Sequence, residues 1–127
     1  MQILFTKSFE MGENSGLNLI EGTVEKLNKN SLLDKIKIPH INWSRVNFEK
    51  KNKLNYMSIK LDGKSFYFVH SFMVFPKNQD IIIATSDYYD IKIPAIIKYE
   101  NIIAFQFHPE KSGKNGLEIL RRTFNLL

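Results

Sequence analysis

The chain has 127 residues, 43% of them apolar and 24% charged, which is typical of a folded domain of ordinary size and excludes a disordered chain. It contains no cysteine, so disulfides, thiolate metal sites and a cysteine nucleophile are excluded within these residues. The net charge of +5 would suit a polyanionic partner, but the lysines are scattered, and we favour a solvated basic surface over a nucleic-acid site.

The N-terminal half is predicted to open with a helix and to continue in short extended pieces. Apolar residues with helical spacing predict a helix over 1–9. These residues are Met1, Leu4, Phe5 and Phe9. A turn-rich stretch over 10–16 follows, then a strand over 22–27 and a loop over 28–35. Pro39 interrupts the next segment, so a short strand is expected before it and a second extended piece after it.

The C-terminal half has the pattern of a β-rich region. Two alternating runs around an Asp-Gly dipeptide predict a β-hairpin over 56–72. The run "DIIIATSDY" predicts a buried strand over 80–88, and two further strands joined by the turn "YEN" are expected over 91–107.

The last segment, over 112–127, is predicted to be a helix that Ser112 caps. Its apolar face is expected to point inward, with Arg121 and Arg122 on the opposite side. That face comprises Leu117, Leu120, Phe124 and Leu127. A β-rich middle between helical ends predicts a single α/β or α+β domain without repeats or linkers.

The stretch "FQFHPEKSG" holds the strongest chemical signal. In an extended segment, side chains two positions apart point to the same face, so His108 and Glu110 are expected to lie side by side. A carboxylate on one ring nitrogen fixes the tautomer and leaves the other nitrogen free to accept a proton from a nucleophile. The alternative is a strand end with two solvent-facing polar residues. The position after a buried strand favours a site, because α/β sheets place their sites there.

Two further polar residues interrupt apolar runs. His70 in "FVHSF" could be a base or a ligand, but a hydrogen-bonded core residue is the favoured interpretation. Trp43 in "PHINW" is most simply a core or edge residue, whereas an exposed position would indicate a partner surface. No residue spacing indicates a metal site and there is no Gly-rich phosphate loop, so we expect no cofactor.

Four stretches in this order, "GLNLIEGTVEKL", "KIPHINW", "YFVHSF" and "QFHPEKSG..GLEIL", resemble landmarks of the class I, or triad, glutamine amidotransferases. Within that family they resemble the glutaminase subunits of imidazole glycerol phosphate synthase, over essentially the whole chain. The resemblance implies a doubly wound α/β domain that hydrolyses glutamine to glutamate and ammonia. It also implies a heterodimer in which the ammonia passes to a barrel-shaped synthase subunit.

The resemblance assigns roles to individual residues. The family triad is a cysteine followed by the His and Glu of "HPE", so His108 would be the general base and Glu110 its orienter. The glutamine-binding positions would be Gln2, His70, Ser71 and Phe72. The partner interface would include Trp43 and Lys111. Two departures are Asn42, where Gly is usual, and Phe72, where Tyr is common; the lost hydroxyl would weaken one substrate hydrogen bond by about 0.5–1.5 kcal/mol.

The family motif G-x-C-x-G-[x]-Q would place Gln2 just after the nucleophile elbow and the cysteine before Met1. The resemblance therefore implies that residues 1–127 form the C-terminal part of a single amidotransferase domain, without its N-terminal strands and nucleophile elbow. We expect such a chain to lack glutaminase activity by itself. The open alternatives are a glutaminase that feeds ammonia into surface-sugar biosynthesis and a non-catalytic fragment that binds the synthase.

The expected cellular location of the chain follows from two targeting signals that its sequence lacks. No apolar run approaches the length of a membrane span, and the residues after Met1 have neither a basic region nor a cleavage site typical of a secretory signal. We therefore expect a cytoplasmic location.

Overall fold

The computed structural model describes residues 1–50, 55–58 and 60–125, and nine β-strands and two α-helices lie within these ranges. The strands are β1 (Phe5–Ser8), β2 (Asn14–Ser15), β3 (Ile20–Lys26), β4 (His40–Phe48), β5 (Lys64–His70), β6 (Phe72–Pro76), β7 (Ile82–Tyr88), β8 (Ile91–Tyr99) and β9 (Ile102–Phe105). The helices are α1 (Asn55–Ser58) and α2 (Gly113–Phe124). The β-rich middle and the C-terminal helix confirm the predicted α/β class.

The strands form two sheets. The first has the order β2-β1-β3-β6, in which β1 and β3 are parallel and the other neighbours antiparallel. The second has the order β5-β4-β7-β8-β9 and is antiparallel throughout. Because β5 and β6 follow each other along the chain but belong to different sheets, the chain passes from one sheet to the other at Ser71.

Strand β8 lies between two cores, which explains its almost uninterrupted apolar sequence. Its Ile96 belongs to the core beneath α2, and the next residue, Ile97, belongs to the core against the four-stranded sheet. Successive side chains of a strand point to opposite faces, so a strand buried on both faces reads as continuously apolar. The first core also contains Phe66, Phe68, Phe107 and Ile119, and the second contains Phe5, Ile20, Val24 and Val74.

Three predictions for residues 1–72 are wrong. Residues 1–9 form a short 3₁₀ turn and strand β1 in place of a helix, because Phe5 is buried in the second core and β1 pairs with β3. The short strand expected directly before Pro39 is absent, because residues 31–38 form no strand. The hairpin over 56–72 is absent: Asn55–Ser58 is helical, and β5 pairs with β4. Residue 59, within that prediction, lies outside the described residues.

The helix α2 exists as predicted, but it buries a different face. Its buried residues are Gly116, Ile119, Arg122 and Thr123. Leu117 and Phe124 are exposed, and Leu127 lies outside the described residues. Arg122 can be buried because its Nε donates to a Glu118 oxygen at 2.6 Å. Ser112 makes no side-chain cap hydrogen bond.

Gly116 allows α2 to lie directly on the turn that carries His108. A Cβ at this position would overlap the carbonyl oxygen of Pro109, which is backbone and cannot move away alone. We expect Gly116→Ala to lower the free energy of unfolding by about 1–3 kcal/mol despite the better helix propensity of alanine. Urea unfolding measures this, with Leu117→Ala on the exposed side as the control, expected within about 0.5 kcal/mol. Equal stability of the two variants would contradict the close packing.

Candidate functional site

The segment after β9 is held against the free edge of β5 by the backbone of one residue. The N–H of His108 donates to the carbonyl oxygen of Tyr67 at 2.9 Å, and the N–H of Tyr67 donates to Ser112 Oγ at 2.9 Å. Ser112 Oγ in turn donates to the carbonyl oxygen of His108 at 2.7 Å. These three bonds fix the backbone on both sides of the His108 side chain.

The predicted contact between His108 and Glu110 is present. Nδ1 of His108 lies 2.7 Å from Glu110 Oε1, although a 3₁₀ turn over Pro109–Lys111, and not an extended strand, brings the two groups together. Its own backbone N–H, and then His108, hold the pKa of the Glu110 carboxyl below its ordinary value. Because an ionised carboxylate only accepts, the proton of a neutral His108 lies on Nδ1 and its Nε2 can accept another. The pair has the geometry of a base and its orienting carboxylate.

A pocket of ≈ 430 Å³ collects five of the eight sequence-predicted site residues. It is lined by Gln2, His70, Ser71, Phe72 and His108, together with Met1, Glu10, Val69, Phe105, Gln106 and Phe107. The side-chain amide of Gln2 donates to the carbonyl oxygen of Phe72 at 2.8 Å and to Gln106 Oε1 at 3.2 Å. The structure thus brings residues from both ends and the middle of the chain to one concave site.

Three residues of this region were not found by sequence reasoning. Gln106 lies two positions before His108 and contacts Gln2, so the alternation along "FQFHPE" was the available signal. Tyr67 acts through its backbone, which leaves no signal in its side-chain type. His40 lies in the stretch "KIPHINW", but its contact with His70 depends on the register of two strands. β4 and β5 place the two residues opposite each other.

His70 is a buried, hydrogen-bonded residue at the wall of the pocket. Its Nδ1 lies 2.8 Å from the carbonyl oxygen of Phe72, and its Nε2 lies 3.0 Å from Nδ1 of His40. Burial lowers the pKa of His70. Burial and then His70 lower the pKa of His40 to about 4, so both rings are neutral at neutral pH.

Trp43 is not a core residue: its exposed fraction is 51%. It lies on β4 beside two other exposed apolar residues, Ile41 on the same strand and Val69 on β5. We call these three residues the β4–β5 patch. The ring of Trp43 also lies 6.0 Å from that of Tyr67, whose backbone holds His108. Lys111 is exposed in the turn after His108.

Outside this pocket, the described residues show no second grouping of the predicted site residues. A larger pocket of ≈ 560 Å³ contains no histidine and none of the predicted site residues. Within residues 1–50, 55–58 and 60–125, no three His, Asp or Glu side chains are grouped as a metal site would require. None of the helices in these ranges is both long and apolar enough to span a membrane.

Comparison with known proteins identifies what the chain is similar to. Residues 10–126 match the family profile "Glutamine amidotransferase class-I". Imidazole glycerol phosphate synthase subunit HisH of Pyrococcus furiosus is 44% identical over 121 residues, which are 95% of this chain and 58% of that protein. HisH of Aquifex aeolicus is 38% identical over 94% of this chain and 54% of its own length. HisH of Sulfolobus acidocaldarius is 38% identical over 100% and 60%, respectively. The chain thus spans little more than half of these relatives.

Acid should destabilise the fold through His40 before the carboxylates titrate. The unfolded histidine gains a proton near its ordinary pKa of 6.5, whereas buried His40 resists it until about pH 4. The stability contributed by the neutral ring is fully present above pH 6.5 and falls as the pH decreases towards 4, by up to about 3 kcal/mol.

Urea unfolding at a series of pH values measures this loss. His40→Asn keeps an N–H donor but does not titrate, so its stability should fall less steeply between about pH 6.5 and 5. The same slope in both proteins would show that His40 is not buried in neutral form.

Proposed function

This chain belongs to the class-I glutamine amidotransferase family, and we propose that it carries the histidine–glutamate part of a glutaminase site in a subunit of imidazole glycerol phosphate synthase. The observation that carries the proposal is the single pocket in which His108 stands with Gln2, His70, Ser71 and Phe72. The contact between His108 and Glu110 supports the same chemistry. The similarity to three HisH subunits supports the choice of enzyme.

In each half of the proposed reaction His108 accepts one proton and returns it. Its Nε2 accepts the thiol proton of a cysteine, and the thiolate attacks the side-chain amide carbon of glutamine. His108 returns the proton to the departing nitrogen, so ammonia leaves and a thioester remains. Water, deprotonated by the same nitrogen, then attacks the thioester, the C–S bond breaks to release glutamate, and His108 returns that proton to the cysteine sulfur. Glu110 stays ionised throughout and holds the ring in the required tautomer.

The cysteine of this reaction is not among the 127 residues. In the proposal these residues form the C-terminal part of one doubly wound amidotransferase domain. The elbow that bears the cysteine would be packed beside Gln2 and would come from residues outside this sequence. The greater length of the HisH relatives is consistent with this arrangement.

The proposed partner is a barrel-shaped synthase subunit that consumes the ammonia. The β4–β5 patch supports a protein interface, because three neighbouring apolar side chains stand exposed on adjacent strands. Trp43 would be the anchor, since a large aromatic ring contributes most when it enters a pocket of a partner. Lys111 adds a positive charge near His108. The same patch favours a second candidate, a chain that binds the synthase without chemistry of its own.

Activity should depend on the His–Glu pair once a cysteine is provided. The residues of Pyrococcus furiosus HisH that precede its match are joined to this chain, and ammonia release from glutamine is measured with the synthase subunit present. We expect His108→Asn to lower turnover by about 10²–10⁴-fold and Glu110→Gln by about 10²-fold. Lys114→Ala, exposed on α2, is the control.

The unjoined chain, which has no cysteine, should release no ammonia. Full activity of the His108→Asn fusion, or His108-dependent turnover by the unjoined chain, would contradict the proposed catalytic role.

Binding to the synthase should depend on the β4–β5 patch. Surface plasmon resonance with the barrel-shaped subunit of Pyrococcus furiosus measures the affinity. Trp43→Ala should weaken binding by about 10–100-fold because it removes the largest exposed ring of the patch. Tyr89→Ala, in the exposed turn between β7 and β8, is the matched control and should leave the affinity unchanged. Equal binding by Trp43→Ala and Tyr89→Ala would place the interface elsewhere. If the fusion binds the synthase but releases no ammonia, the non-catalytic candidate is favoured.

A further inference from the structure

His40 is a buried titratable residue that the proposed reaction does not use. It has no exposed surface and lies at the start of β4, opposite His70 on β5. Its ring is stacked on Tyr88 at 4.0 Å and on Phe68 at 5.0 Å between ring centres. These contacts fix the plane of the imidazole, so its two nitrogens point in defined directions. One faces His70 Nε2 at 3.0 Å and the other faces Ser44 Oγ at 2.9 Å.

The proton positions between Ser44 and Phe72 follow from the carbonyl oxygen of Phe72, because this group can accept a hydrogen bond but cannot donate one. The carbonyl oxygen of Phe72 requires that Nδ1 of His70 carry a proton. In the neutral ring Nε2 then has a lone pair, so the proton between the two imidazoles belongs to Nδ1 of His40. Nε2 of His40 is therefore an acceptor, and the hydroxyl of Ser44 donates to it. Every donor has one acceptor, and no charge is buried.

We propose that His40 is a positioning residue for the pocket, acting through a neutral relay from Ser44 through His40 and His70 to the carbonyl group of Phe72. The Nδ1–H of His40 satisfies the buried Nε2 lone pair of His70, and so stabilises the ring whose Nδ1–H holds the Phe72 carbonyl. The identity of the pocket's ligand as glutamine rests on the proposed function, whereas the relay rests on the contacts alone.

The relay changes the role expected for His70. Both of its ring nitrogens are engaged, one with His40 and one with Phe72, so neither remains to bind a ligand. The Phe72 carbonyl receives two N–H groups, from His70 and from Gln2, which match its two lone pairs. His70 therefore orients the wall of the pocket at the corner where the chain passes between the sheets, and the ligand meets a carbonyl that is already satisfied.

Nitrogen-15 NMR of the imidazole rings in the 127-residue chain tests the relay directly. The chain has three histidines, so one variant of each residue assigns the spectrum. At about neutral pH we expect His40 and His70 to be neutral, each with its proton on Nδ1. A proton on Nε2 of either ring, or a doubly protonated His70, would overturn the relay. This measurement on the unaltered chain stands even if a variant does not fold.

Two substitutions of His40 separate its hydrogen bond from its packing. His40→Asn keeps an N–H at the position of Nδ1, and His40→Phe keeps the stacked ring without a donor. The relay predicts that the nitrogen-15 signal of His70 Nε2 stays that of a hydrogen-bonded acceptor in His40→Asn, whereas in His40→Phe it moves to that of an acceptor without a hydrogen bond. The Phe72 carbonyl keeps the proton of His70 on Nδ1 in both variants. An unchanged Nε2 signal in His40→Phe would mean that His40 only fills space, and the relay would be wrong.

Added glutamine serves as a separate probe of the ligand. If the tautomers are as expected but glutamine leaves the signals of Gln2 and Phe72 unchanged, the relay holds and the glutamine assignment fails. If glutamine shifts those signals in the unaltered chain and in His40→Asn but binds at least about tenfold more weakly to His40→Phe, the relay positions the glutamine pocket.

Discussion

The site depends on the way in which Tyr67 uses both of its backbone groups. β5 and β9 are the two edge strands of the five-stranded sheet, and each would otherwise present unpaired N–H and C=O groups. The N–H and C=O of Tyr67 instead bind the segment that follows β9, at Ser112 and His108. The segment after β9 therefore reaches the opposite edge of the sheet, and His108 is held there. The same segment supports α2, which can approach because Gly116 has no side chain.

A second constraint acts at Ser71, where the chain leaves one sheet and enters the other. A corner of this kind exposes backbone groups that neither sheet can pair, and the buried side chains around it must satisfy them. His70 and Gln2 do so for the carbonyl oxygen of Phe72. Because the corner is also a wall of the pocket, the interactions that stabilise the fold and those that shape the site are the same. This explains why polar residues interrupt the apolar run "YFVHSF" at this place.

Local patterns predicted the parts of the fold that depend on local sequence. The strands β7, β8 and β9 and the helix α2 were found because their apolar runs are bounded by clear turns. The opening helix was wrong because the spacing of Met1, Leu4 and Phe5 fits a helix, whereas pairing of β1 with β3 decides the structure. The inward face of α2 was wrong because Ile119, together with a glycine and a paired arginine, meets the core in place of the leucines.

The site was predicted only where its contacts are local in sequence or where the family resemblance names the residues. The contact between His108 and Glu110 was predicted from a spacing of two residues in an extended segment, although a 3₁₀ turn forms it. The gathering of Gln2, His70, Ser71 and Phe72 was expected from resemblance alone. The contact of His40 with His70 depends on the register of β4 against β5, and the hydrogen bond of Tyr67 to His108 joins residues 41 positions apart at opposite edges of a sheet. Neither leaves a pattern within one short stretch of sequence.

The most direct measurement is a crystal structure of this chain joined to the cysteine-bearing segment of a HisH relative. We expect the cysteine Sγ to lie within about 4 Å of Nε2 of His108, at the mouth of the pocket beside Gln2. We also expect the contact between Nδ1 and Glu110 to be preserved. A cysteine on the far side of the sheet, or an Nε2 turned away from it and covered by protein, would contradict the claim that His108 and Glu110 belong to a glutaminase site.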